Sequence, residues 1–116
     1  MRITRLYTGS DNESHFEEIE IDLDDAGEIG QLSKQIKATG IIFRRTGPDY
    51  DYDWHNAPRR QYIIMLDGAV DVETGDGTAR RFSTGDILLA EDTTGRGHKS
   101  KAVNNEPRTS VFVTLD

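Results

Sequence analysis

Apolar residues recur at every second position in short runs along this chain. Ile19, Ile21 and Leu23 alternate with Glu18, Glu20 and Asp22, the period of a strand with one face buried and the other in water. Similar runs predict strands over Gly40 to Arg45, Gln61 to Leu66, Ala69 to Glu73, Ala79 to Phe82, Asp86 to Glu91, Gly97 to Val103 and Thr109 to Leu115. Between them, Asp67-Gly68, Gly75-Asp76-Gly77, Thr84-Gly85-Asp86 and Asn104-Asn105-Glu106-Pro107 supply the residues that accept positive φ in tight reversals. Helical spacing is almost absent. Reversal of the chain roughly every eight to twelve residues predicts an all-β sandwich or barrel. Residues 24–37 form the one long stretch of weak pattern and, with Gly27 and Gly30 in it, predict an ordered loop or a single turn of helix.

One strand is apolar on both faces. Gln61, Ile63 and Met65 share one side and Tyr62, Ile64 and Leu66 the other, so this strand is expected to be buried on both. One face, carrying Gln61 and Met65, would line a barrel interior and contact a bound molecule. The other would pack against a second layer or a second subunit.

Composition narrows the picture. A chain of 116 residues suits one domain, and its 34% apolar content beside 30% charged residues calls for a compact core under a heavily solvated surface. A formal charge of −7 argues against nucleic acid as a partner, because each phosphate contact needs a cation whose field is not cancelled. The absence of cysteine removes disulfides, thiol nucleophiles and thiolate zinc sites, and fits the cytoplasm as the default location. Met1 to Tyr7 lacks the apolar stretch of a signal peptide, and no window approaches a membrane span, so no membrane partner is expected.

The segment from Gly47 through Gly68 reads Gly-Pro-Asp-Tyr-Asp-Tyr-Asp-Trp-His-Asn-Ala-Pro-Arg-Arg-Gln-Tyr-Ile-Ile-Met-Leu-Asp-Gly. It resembles the first motif of the cupin family, and Gly85 to Asn104, with Gly85-Asp86 opening a strand and Gly95-Arg96-Gly97-His98 following, resembles the second. The resemblance runs from about Gly40 onward and implies a double-stranded β-helix, a jelly-roll barrel. On this reading residues 1–116 make a single cupin domain, with the core barrel over about 40–116 and N-terminal strands in 1–39.

The resemblance also implies a site. The family's metal set is three histidines and a glutamate; His55 falls on the first histidine and His98 on the third, whereas Ala57 occupies the second position and Gln61 that of the glutamate. Half the set remains, as two imidazoles and a neutral amide without the carboxylate that would offset a divalent cation. One divalent transition metal, whether zinc, nickel, iron, manganese or copper, is therefore admissible on His55, Gln61 and His98 but weakly held. Without it, His55 and His98 are candidates for catalytic acid and base, because imidazole titrates near neutrality. Family resemblance implies a homodimer as well.

The remaining candidates come from the residues themselves. In Asp49-Tyr50-Asp51-Tyr52-Asp53-Trp54-His55 an extended strand would put the acids and His55 on one face and the aromatics on the other, bringing Asp53 close enough to orient the His55 imidazole. Arg59 stands at the rim of the expected pocket, where a guanidinium fork suits an anionic group. The pairs Arg44-Arg45 and Arg80-Arg81 read instead as partners for the plentiful surface acids. Together these residues predict a pocket for a small polar or anionic organic molecule, used either for catalysis or, since the metal set is degenerate, for ligand binding or dimerisation alone.

Overall fold

A computed structural model describes residues 1–116. Twelve strands follow in order: β1 (Arg2–Thr8), β2 (Ser14–Glu20), β3 (Asp24–Asp25), β4 (Gln31–Leu32), β5 (Gly40–Thr46), β6 (Asp51–His55), β7 (Gln61–Asp67), β8 (Ala69–Glu73), β9 (Ala79–Ser83), β10 (Ile87–Ala90), β11 (His98–Ala102) and β12 (Arg108–Thr114). A single 3₁₀ turn, Gly27–Ile29, lies between β3 and β4, where the weak pattern predicts a loop or helical turn. No helix is long and apolar enough to cross a membrane.

Two sheets face each other. Six strands run in the order β2-β1-β10-β7-β12-β5 and four in the order β6-β11-β8-β9, with β3 and β4 paired by themselves. All pairings are antiparallel except β1 with β10. The alternation read from the sequence supplies the core. Leu6, Met65 and Leu88 from the larger sheet meet Val70, Val72 and Phe82 from the smaller, and Phe16 and Ile63 pack against this cluster. Leu6 is wholly excluded from solvent. Since β1 lies between β2 and β10, residues ahead of position 40 share the core with those after it.

The strand with two apolar faces is buried as predicted on its inner side, but its outer side is only partly covered and Leu66 at its end is exposed. Gln61, Ile63 and Met65 point between the sheets, while Tyr62 and Ile64 line an apolar cleft on the outer side of the larger sheet, partly covered by Ile36 and Ala38. Alternation alone misses β1, where Ile3 and Leu6 are hidden among Arg2, Arg5 and Tyr7, and the two-residue β3 and β4; it also places the next strand late, since β2 ends at Glu20 and leaves Ile21 and Leu23 beyond it.

Candidate functional site

The two histidines singled out in the sequence meet. His98 begins β11 and His55 ends β6, directly opposite across the ladder, and their ring centroids are 4.4 Å apart. Both line a cavity of about 290 Å³ between the sheets, floored by the core residues Met65, Val70, Val72 and Phe82. Gln61 is buried on its wall with Oε1 unpartnered.

A local irregularity turns His55 inward. From His98 to Ser100 the chain advances two residues along β11, but the partners on β6 run from His55 to Tyr52, three residues, so β6 carries a bulge. Alternation is broken there, and His55 stacks on Tyr52 at 4.0 Å between centroids and 11° between planes. Even-numbered Tyr50 and Tyr52 and odd-numbered His55 therefore all line the cavity. The expectation that Asp53 and the other acids would share the His55 face fails for this reason. The exposed carboxylate of Asp53 accepts from the Trp54 backbone N–H at 2.9 Å, and Asp53 does not line the cavity. Its contribution to His55 comes through its backbone carbonyl, 2.7 Å from Nδ1.

Gly97 makes the meeting possible. Its φ is +79°, and an added Cβ would overlap the His55 carbonyl, so only glycine lets the start of β11 come this close to β6. The approach is secured from the other side by Asn56, whose Nδ2 donates to the carbonyls of Thr94 at 2.8 Å and Gly95 at 3.0 Å.

Hydrogen bonding fixes the Nδ1 proton of both rings. A carbonyl can only accept, so Nδ1 of His55 carries the proton it donates to Asp53 and leaves Nε2 bare in the neutral ring. Nδ1 of His98 lies 2.5 Å from Oδ2 of Asp92, which likewise places a proton on Nδ1 and turns Nε2 away from the carboxylate. Asp92 has no solvent exposure; its Oδ2 also accepts from Ser14 Oγ at 2.7 Å, and its backbone carbonyl accepts from the Ala57 N–H at 3.1 Å. Burial lowers the His55 pKa from its ordinary 6.5, the charges of His98 and Arg44 lower it further, and the Asp53 carbonyl and Asp92 act the other way.

Two arginines complete the wall. Arg108, at the start of β12, is 6% exposed, and Arg44 on β5 is half-buried. Both guanidiniums lie against the Tyr50 ring, at 4.5 and 5.3 Å from its centroid. Burial, followed by repulsion from Arg44, lowers the Arg108 pKa. Arg44 thus departs from the surface-pairing expectation, which the pair at 80 and 81 meets through Glu18 and Asp71. Arg59 does not line the cavity, whereas Met65 and Gln61 do.

As a metal site the donor set falls short. His55, His98 and Gln61 offer two neutral nitrogens and one amide oxygen, and no three His, Cys, Asp or Glu residues gather where they could hold an ion. Asp92 is turned to Ser14 and His98, and the guanidiniums of Arg44 and Arg108 add positive charge to the same walls.

No protein-family model matches the sequence, and no curated protein does. Solved structures do match in shape. A Cupin 2 conserved barrel domain protein from Salinispora arenicola CNS-205 is 16% identical, with 84% of this chain and 82% of that one covered at a TM-score of 0.54. A cupin-like protein from Thermotoga maritima is 17% identical over 92% of this chain and 74% of its own, with a TM-score of 0.53. The cupin domain of Schizosaccharomyces pombe Cnp3 is 11% identical over 99% and 84%, also at 0.53. The chain has the cupin fold, the double-stranded β-helix that its two motifs resemble.

Two predictions follow from this geometry. Gly77 also has positive φ, +85°, but open space around it. Gly77→Ala should therefore cost only the backbone strain of about 1–2 kcal/mol. Gly97→Ala should cost at least about 2 kcal/mol more, through overlap with His55; equal losses in paired denaturant melts would show that the close approach is not needed. The second concerns pH. A lowered folded-state pKa means that the unfolded chain takes up the His55 proton first, so this contribution to stability is present above the ordinary histidine pKa and is lost as pH falls through it. The decline in melting temperature between about pH 7.5 and pH 5.5 should be shallower in His55→Asn than in wild type; parallel curves would refute it.

Proposed function

Taking the small cupin barrel as frame, we propose that this cavity binds a small carbonyl compound and moves a proton on it, with Nε2 of His98 as base and His55 as its second acid–base group. The observation that carries the reading is the buried Asp92–His98 pair. A carboxylate with no solvent exposure, 2.5 Å from Nδ1, orients the ring, fixes its tautomer and stabilises the imidazolium that forms when Nε2 takes a proton. Asp92 is thus a positioning residue. His55, with its pKa lowered, is neutral near pH 7 and so available as a second acceptor.

The step balances without a co-reactant. A C–H bond beside the carbonyl breaks, its proton goes to Nε2 of His98, and its electron pair moves toward the carbonyl oxygen to give an enolate. Proton return to the same or a neighbouring carbon completes exchange or isomerisation. The reading needs no resident metal, in keeping with the incomplete donor set. A second reading, a barrel that binds its ligand without changing it, draws support from Ala57 and Gln61 at positions where the cupin motif has a histidine and a glutamate.

Deuterium exchange tests the first reading. Small ketones, aldehydes and 2-oxo acids in D₂O should show protein-dependent loss of α-proton NMR signals for at least one compound. His98→Asn should lower that rate about 100-fold or more, and Asp92→Asn by a smaller factor, since Asp92 acts through the ring. Exchange at the wild-type rate in His98→Asn, or none with any compound, would leave the binding reading. Elemental analysis provides a separate check: protein purified without affinity-column metal should carry far less than one equivalent of any transition metal. Near one equivalent, lost in His98→Ala, would overturn the metal-independent reading.

A further inference from the structure

Charge is distributed unevenly between the surface and the cavity. The chain has 21 acidic and 14 basic residues, yet neither Asp nor Glu lines the cavity, whereas two arginines and two histidines do. Most other arginines find acids: Arg2, Arg5, Arg60, Arg80, Arg81 and Arg96 each lie 2.5 to 3.5 Å from a carboxylate oxygen, and Arg45 and Arg59, which do not, are more open to solvent than Arg108. Arg108, the most buried of all, has none, and its Nη1 is enclosed without a hydrogen-bond partner. Arg44 beside it has no carboxylate either. A buried guanidinium that lacks an anion costs stability, and a second one next to it raises that cost.

We infer that Arg44 and Arg108 form the recognition end of the cavity, and that its ligand is a small organic carboxylate with an apolar body. The inference deepens the proposed function by naming the substrate class, and it rests on the same cavity. A planar carboxylate matches a guanidinium fork with two parallel hydrogen bonds and would meet the unpartnered Nη1. Contact with the Tyr50 ring holds both guanidiniums, and the Tyr50 hydroxyl is itself tied to Ser100 Oγ at 2.7 Å, so the recognition end is built before a ligand arrives. Gly68 helps to seat Arg108: an added Cβ there would press on the Pro107 carbonyl and the Arg108 backbone. The rest of the wall is mostly apolar, and a volume of about 290 Å³ limits the body to a short chain or one ring.

Binding can be followed at the Nε–Hε NMR signals of Arg44 and Arg108 during titration with sodium benzoate, 2-oxobutyrate and 3-hydroxybutyrate, with benzamide, 2-butanone and inorganic phosphate as comparisons. At least one carboxylate should give saturable shifts, and the neutral compounds should give none. Arg108→Met and Arg44→Met should each weaken binding tenfold or more, while Arg45→Met, on an exposed neighbour, should not. Arg108→Met should also melt at the same or a higher temperature without ligand, because an unpaired buried charge is gone; an arginine kept for structure would give the opposite. The inference falls if no carboxylate saturates, if a neutral compound or phosphate binds more tightly than every carboxylate, or if Arg108→Met binds like wild type. Saturable carboxylate binding without α-proton exchange would sink the proton-transfer reading and leave this one standing. Exchange that persists undiminished in Arg108→Met would do the reverse.

Discussion

Asp92 has no contact with solvent, and three separate parts of the chain converge on it. Ser14 reaches it from β2, His98 from β11, and the backbone N–H of Ala57 from the loop after β6. A carboxylate is tolerated at such depth only when its neighbours satisfy it, so the folded chain must bring Ser14 and His98 together at Asp92 or leave a buried charge uncompensated, while the Asp92 backbone carbonyl ties in Ala57. Its neighbours reinforce the same junction. Glu91 holds Arg5 and Arg60, its N–H donates to the Leu6 carbonyl, and the Arg96 N–H donates to the Asn12 carbonyl. The N-terminal hairpin is thereby fastened to the loop that delivers His98.

The alternation of apolar and polar residues was enough to read most strands, because sheets with one wet face impose a period of two. Val70 and Val72, Phe82, Leu88 and Val111 all lie buried within the runs the pattern predicts. The pairing of His55 with His98 was legible only through the resemblance to two cupin motifs. What escaped was whatever depends on a break in periodicity or on a partner distant in sequence. The bulge in β6 moved Tyr52 and His55 onto one side and left Asp53 outside. Asp92 supplied the carboxylate instead, from a loop with no pattern to reveal it. Arg108 was missed because its strand seemed to begin one residue later, although it shares parity with Ser110 and Phe112, which face the same cavity.

Unpartnered polar atoms weigh on stability along the cavity wall. Arg108 Nη1 and Gln61 Oε1 on the cavity wall and Asp92 Oδ1 behind His98 are buried without protein partners, as are Glu13 Oε2 and Thr46 Oγ1 outside the cavity lining. Apolar residues would pack better at these places. Two of the five open on one enclosed space floored by the hydrophobic core, where the ligand proposed above would supply partners that the fold does not.

The bulge in β6 has one more consequence. Side-chain direction in a strand is decided by counting residues, so insertion or deletion acts on it in a way that replacement cannot. Between Tyr52 and His55 the count is one longer than the opposing strand requires. With every residue kept, straightening the bulge into a regular ladder would leave the two rings three positions apart on opposite faces and carry the imidazole away from His98, whereas loss of one residue between them would keep both on the cavity face. In this short stretch the site depends on the bulge being held in place, and on no residue type that lines the cavity.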